Sequence, residues 1–327
     1  MADPLSFSRY CFTPLASYVV DLPEACMLSC VGGKTSPVTT AMYKQFGDNN
    51  SITESPNHIE EYFKEVQRFR LNGVAKPFWR DWPLADPYYF LNTEPLHYWH
   101  KFSWDHEVQW AINIVGADEI DYRFNSILQP MVGYRHFKEG ISTLKQVTGR
   151  TQRDVQRYLI GIIAGRAPRD VVIAIRALIE FRYIAQAPEI DDDDCNKILA
   201  ALQVFHDHKA AIIKAGGRRG AKNLIDHWYI PKLELLQHVV RSIRQSGVPA
   251  QWSADATEHA HIIVIKNPAR STNNNDYDPQ ICCFLDRTDR CFRCHAPKVF
   301  GSENMNFFRG ERNISTSRHI IRSIKIP

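Results

Sequence analysis

Apolar residues recur at helical spacing through the middle of the chain. After Thr93, Pro95 suits a first turn, and Leu96, Trp99, Phe102, His106 and Trp110 keep one broad face apolar. A second helix is expected across Asp118–Leu128. A third starts near Thr151, with Asp154 placed for a box-like cap and Val155, Leu159, Ile162 and Ile163 on one side. Pro168 opens a nearly all-apolar helix through Ile184, which belongs at the centre of a bundle. Asp191–Asp194 precede Ile198, Leu202, Phe205 and Ile212, and Gly216 is the stop. Four acids at a helix start oppose the positive end of its dipole, and the run lacks the spaced ligands and glycine turn of a calcium loop. Pro231 begins a last helix through Leu235, Leu236, Val239, Val240 and Ile243, ended by Gly247-Val248-Pro249. The pattern predicts a mainly α protein, with a helical bundle over 94–247.

The flanks are built differently. Ser17-Tyr18-Val19-Val20 reads as a strand ending at Asp21, before Pro23, within a front piece spanning 1–47. Asp48–Pro56 is polar and reads as a loop. Ile59, Tyr62, Phe63, Val66 and Phe69 then share one helical face. Three prolines among the aromatics of Gly73–Asn92 suggest an extended strap, so 48–93 is a connector. Behind the bundle come 248–286, containing Glu258, and a basic stretch from 287 to 327.

Charge sharpens the view of that last stretch. The net charge of the 327 residues is only +4, yet Arg287, Arg290, Arg293, Lys298, Arg309 and Arg312 meet few acids. Such a run can neutralise phosphates and release counterions, although a solvated terminus has the same composition. The start shows no basic segment followed by an apolar one, and the apolar run near Val171–Leu178 is broken by Arg176 and too short for a bilayer. The expectation is an intracellular protein without membrane contact, its eight cysteines reduced thiols.

Three motifs fail on inspection. Gly32-Gly33-Lys34-Thr35 resembles the end of a phosphate-binding loop, but Leu28 stands where the first glycine belongs and Ser36-Pro37 replaces the helix start. Cys291-Phe292-Arg293-Cys294-His295 matches a haem-attachment pattern without the export that this chemistry needs, so no haem is expected. Zinc would need convergence of His97, His100, His106, His259 and His261, with Cys26 and Cys30 as loosely spaced additions; core or polar-interface histidines are the simpler reading.

Two acids remain of interest. Asp21 ends the front strand, and Glu258 lies in Thr257-Glu258-His259-Ala260-His261 just after the bundle. Acids at strand ends and at a neighbouring helix start can hold two metal ions for phosphodiester transfer, and carboxylate oxygen is the hard ligand magnesium prefers.

Several phrases, in order, resemble the Plavaka group of fungal cut-and-paste transposases, within the CACTA-like superfamily. They are Tyr18–Ala25, Glu94–His97, Arg135–Ser142, Phe205–Lys209, Tyr229–Leu233 and Thr257–His261, spanning most of the chain. The resemblance implies a helical bundle inserted into a partial α/β ribonuclease-H-like core with a metal-binding triad of two aspartates and a glutamate. It matches Asp21 to the second aspartate and Glu258 to the glutamate. Glu94 and His97 fall on an Asp-x-x-His motif, with glutamate here for aspartate, as possible further metal ligands. Cys26 and Cys30 lie where relatives often keep a Cys-x-x-Cys pair.

The family's first aspartate lies well upstream of the second, and Asp3 is too close to Asp21 to sit on a separate core strand. The expectation is therefore a nuclear, transposase-derived fragment, ancestrally a metal-dependent strand-transfer enzyme, inactive alone and holding magnesium weakly or not at all. Its partners would be DNA and either itself or an intact transposase. The alternative is a non-enzymatic nuclear module that binds DNA or a transposase through the bundle and the basic stretch.

Overall fold

The computed structural model describes residues 15–49, 72–74, 76–82, 85, 87–127, 135–145 and 147–299, of which 294–299 as backbone alone. The helix expected over 59–69 and most of the loop before it lie outside these residues. The chain divides into two compact units, Met1–Asp255 and Ala256–Pro327.

The first unit is helical. Helix α1 is Leu22–Leu28. Helix α2 runs through Pro95–His100 and Ser103–Val108, both with wide π-type turns, and then Gln109–Val115. Next come α3 (Ala117–Ser126), α4 (Gly149–Ile163), α5 (Arg169–Ala185), α6 (Asp192–His208) and α7 (Ala210–Lys214). The last are α8 (Pro231–Leu235) and α9 (Val239–Ser246), joined by a 3-10 turn. Gly247 at φ 80° stops α9, as a residue without Cβ can.

Helices α5 and α6 form the central pair. Val171, Ala174, Ile175, Leu178 and Phe181 of α5 recur every third or fourth residue and are buried, as are Cys195, Ile198, Leu202 and Phe205 of α6. Trp110 of α2 stacks on Phe205 and meets Trp228 edge-on. Arg182 of α5 forks onto Glu107 of α2 in a buried ion pair that Ser103 completes. Removing one partner of such a pair leaves an uncompensated buried charge, so it fixes α5 against α2.

Several local expectations are corrected. The strand at Ser17–Val20 is an extended segment with one isolated parallel bridge, Tyr18 to Leu91, and no regular strand occurs among the described residues. Parallel pairing needs a longer ladder and a covered sheet to persist as a strand, and neither is supplied here. The segment 73–92 is not wholly extended: it turns at Pro77–Trp82 and makes one helical turn at Pro87–Phe90, because proline suits a first turn. Helix α4 starts at Gly149, close to the expected Thr151, but its cap is Thr148, and Asp154, expected in a capping box, is buried against Arg157. Asp191 caps α6 and Asp194 returns the bond, as the acid run predicts.

The second unit continues from α10 (Asp255–His261) through a π-type turn at Ile262–Lys266 into α11 (Asn267–Arg270). Helix α11 packs on α12 (Tyr277–Val299). Glu258 thus lies inside a helix. Arg287 falls in the middle of α12, so the basic stretch begins within regular structure. Among the described residues no helix is long and apolar enough to cross a membrane.

Candidate functional site

The parallel bridge between Tyr18 and Leu91 builds the site. Tyr18 N–H donates to Phe90 O at 2.7 Å, and Asn92 Nδ2 donates to Ser17 Oγ at 2.8 Å. Two extended segments therefore run side by side, and each enters a helix three residues past the Tyr18–Leu91 bridge. Asp21 stands at one exit and Glu94 at the other, as N-caps of α1 and α2.

The two carboxylates differ in what they hold. Asp21 is exposed and accepts from Glu24 N–H at 3.0 Å, one orphan donor of the first helical turn. Glu94 is fully buried. Its Oε1 accepts His97 N–H at 2.5 Å and faces His97 Nδ1 at 2.6 Å; its Oε2 accepts Leu96 N–H at 2.8 Å and Ala254 N–H at 3.1 Å. Burial alone would raise the Glu94 carboxyl, but the His97 ring and the backbone N–H groups outweigh it and hold it below the ordinary glutamate value. The Ala254 bond also ties the start of α2 to the chain just before α10. Nearby, Arg153 of α4 grips Asp255 with two bonds of 2.8 Å.

The acids act on their neighbours. Burial, with the Asp21 charge added, pushes the Glu24 carboxyl up and the Cys26 thiol up to about 11. Burial also raises the Tyr98 phenol, helped by Cys26, Glu94, Asp21 and Glu24. Lys232 of α8 donates to His97 O at 2.6 Å. Its ammonium is pushed down by burial, while Asp105, Glu94 and Asp21 pull it back up. This end of the first unit is thus an acid-lined rim around one partly buried lysine. Lys232 and Tyr98 are not singled out by spacing or composition, and only the packing reveals them.

The remaining candidates fall elsewhere. Glu258, His259 and His261 lie on α10 in the second unit. His100 is buried between Gln156 and Gln186, and His106 packs on Phe102 and Trp110. Burial holds both rings down at about 4, so they are neutral side chains of the bundle interior. Arg287, Arg290 and Arg293 are exposed on α12, where Arg293 meets Asp289 at 2.6 Å. Lys298 belongs to the backbone-only end of that helix, and Arg309 and Arg312 lie outside the described residues. Carboxylate oxygens of Asp191, Asp193 and Asp194 lie within 4.8 Å of one another, but capping and Lys197 account for them.

Residues 1–111, which include Asp21, Glu94 and His97, match the family model described as Plavaka transposase. Neither the comparison with curated proteins nor that with solved structures found a match.

Proposed function

We propose, from the match of residues 1–111 to the Plavaka transposase family model, that this is a transposase-derived protein that acts on DNA in the nucleus by binding it, without cutting it alone. The ancestral chemistry of this reading is metal-dependent cleavage and strand transfer on a ribonuclease-H-like core. Asp21 and Glu258 are its proposed vestiges.

The observation that carries the reading is the saturation of Glu94. A carboxylate offers about four acceptor sites, and here three N–H groups and an imidazole nitrogen occupy them. Magnesium demands several oxygen ligands near 2.0–2.1 Å in octahedral array. To serve it, Glu94 would have to abandon three backbone donors, that of Ala254 buried and those of Leu96 and His97 partly so, and each unsatisfied buried polar group costs ~1–3 kcal/mol. Glu94 and His97 thus do not fit a metal-holding pair; they fit a device that starts α2 and anchors Ala254. Asp21 keeps an exposed carboxylate, yet one carboxylate with one neighbouring acid of raised pKa is a poor cage for a divalent ion.

The test incubates the full chain with labelled DNA and magnesium or manganese. Salt-dependent binding with no strand cleavage or joining is expected. Robust magnesium-dependent cleavage that Asp21→Ala abolishes would overturn the reading.

A further inference from the structure

Between α7 and α8 the chain makes a short hairpin. Arg219 and Leu224 pair in an antiparallel bridge, Gly220 N–H donates to Asn223 O at 2.9 Å, and Ile225 N–H donates to Arg218 O at 2.9 Å. Ala221 and Lys222 form the tip. Arg219, Lys222 and Asn223 are exposed, and so is Leu224, at 62%. No ion pair of the described residues uses Arg219 or Lys222, and Asp226 is the one acid between Lys214 and Tyr229.

The hairpin is anchored at its base. Gly217 sits so close to Ile114 and Ile212 that a Cβ would meet both inside 3.0 Å, and its carbonyl accepts from Asn113 Nδ2 at 2.9 Å. The buried Arg218 guanidinium donates twice to His227 O, at 3.1 and 2.8 Å, and lies 5.1 Å over the Trp228 ring. Trp228 is packed on Trp110 and Phe205. A charged tip is therefore held on the hydrophobic core through a buried arginine.

The return arm leads directly into a row of rings. His227 and Tyr229 stack with centroids 3.9 Å apart and planes at 17°. Tyr229 meets Tyr43 edge-on at 5.5 Å, and the exposed Lys34 sits 5.2 Å over Tyr43. Tyr229 remains 37% exposed although it takes part in two ring contacts. Lys44 is exposed beside Tyr43 in sequence.

We propose that the Arg219–Lys222 hairpin tip and the Lys34–Tyr43–Tyr229–His227 row form a binding surface for single-stranded DNA. Unpaired cations on a fixed turn suit phosphates, and they release counterions on contact. The exposed Tyr229 ring on the return arm, flanked by the half-buried His227 and Tyr43 rings, suits an unpaired base, because every base offers a π face whatever its identity. A duplex presents its bases already stacked and gains less from such rings. This inference rests on the DNA-acting reading for the nature of the polymer; the surface itself stands on its own geometry.

The experiment uses the full chain, with a labelled oligothymidine strand and the duplex formed with its complement, titrated by anisotropy at several salt concentrations. Single-stranded binding tighter than duplex binding is expected. Arg219→Ala with Lys222→Ala should lower the logarithmic salt slope for the strand by about 1.4, the share of two phosphates at ~0.7 each. Tyr229→Ala should weaken strand binding about 5- to 150-fold with the slope kept, the range of one lost stack. Circular dichroism and thermal melting confirm that each variant is folded; a Tyr229→Phe variant, which keeps the ring, should retain affinity. If folded variants of both kinds bind as the unaltered chain does, the surface is wrong while the DNA-acting reading stands. Equal losses from strand and duplex on Tyr229→Ala would overturn the base-stacking assignment. If the unaltered chain binds neither DNA, both readings fall.

Discussion

Asp21 and Glu94 begin neighbouring helices from paired segments, yet one faces solvent and the other is sealed. Each lies three residues beyond the same bridge, and each caps a first turn. The difference is the number of donors that close on the carboxylate: among the described residues, one for Asp21 and four for Glu94. A carboxylate with unused lone pairs can still meet a ligand. One whose lone pairs are filled by buried N–H groups has become part of the scaffold. Two acids at equivalent places in the fold can thus differ in what they leave free, and donor saturation separates the two.

The sharpest way to break this contrast is Glu94→Ala. It strands the buried N–H of Ala254 and the partly buried N–H groups of Leu96 and His97, and the expected loss is about 3–5 kcal/mol in urea unfolding of the full chain. A loss under about 1 kcal/mol would mean that water replaces the carboxylate easily, and the architectural role would fail.

Acid should expose the same contrast more gently. The Glu94 carboxyl is depressed in the folded state, so its stabilisation is present above the unfolded glutamate value and disappears as pH falls through the lower folded value. The buried rings of His100 and His206 and the half-buried ring of His106 are held at about 4, below the ordinary 6.5, mainly by burial. Each destabilises the fold once pH drops below the unfolded histidine value, and that loss levels off near the folded value. Unfolding free energy measured from about pH 7 down to about pH 4.5 should therefore fall by roughly 2–3 kcal/mol or more, before Glu94 is protonated. A flat profile over that window would show that these rings gain water or move out of the interior on protonation.

The smallest effect belongs to Asp21. Asp21→Ala removes one exposed cap and should cost about 1 kcal/mol, with Asp21→Asn close to neutral. Thermal melts of both variants beside Glu94→Ala test the ranking. If Asp21→Ala proved as damaging as Glu94→Ala, the two ends would be equally structural.

Much of the bundle was legible because its signals are local. The apolar spacing of Val171, Ile175 and Leu178 marks α5, the Asp191–Asp194 run marks the start of α6, and Gly247 marks the end of α9. The cap of α4 was misplaced because Thr148 and Thr151 both suit the position, and only the hydrogen bond from Thr151 N–H to Thr148 Oγ1 decides. The wide turns of α2 were invisible, since apolar residues at i+3 and i+4 spacing fit either kind of turn. The Arg135–Ser142 phrase carried a reason that spacing could not show: Gly140 adopts φ 75° against Asp121, which accepts the N–H groups of Ile141 and Ser142 at 2.7 and 2.9 Å. At the candidate site, Asp21 and Glu94 could be named from the chain, but Lys232 and Ala254 come from far along it. The hairpin escaped for a simpler reason: Gly216 reads as a helix stop, and a stop says nothing about the turn beyond it.

The distribution of thiols gives the two units separate clocks. Cys26, Cys30 and Cys195 are buried in the first unit, with the Cys26 thiol pushed up to about 11, while Cys283 and Cys291 are exposed in the second. Alkylating reagents attack the thiolate, so a sealed thiol with a high pKa reacts only in molecules that have opened. Mass spectrometry of a brief labelling pulse would then sort the cysteines by site: immediate modification at Cys283 and Cys291, and slow modification at Cys26 and Cys195 that reports the opening of the first unit. The buried thiols thus provide a built-in measure of how long that unit stays closed.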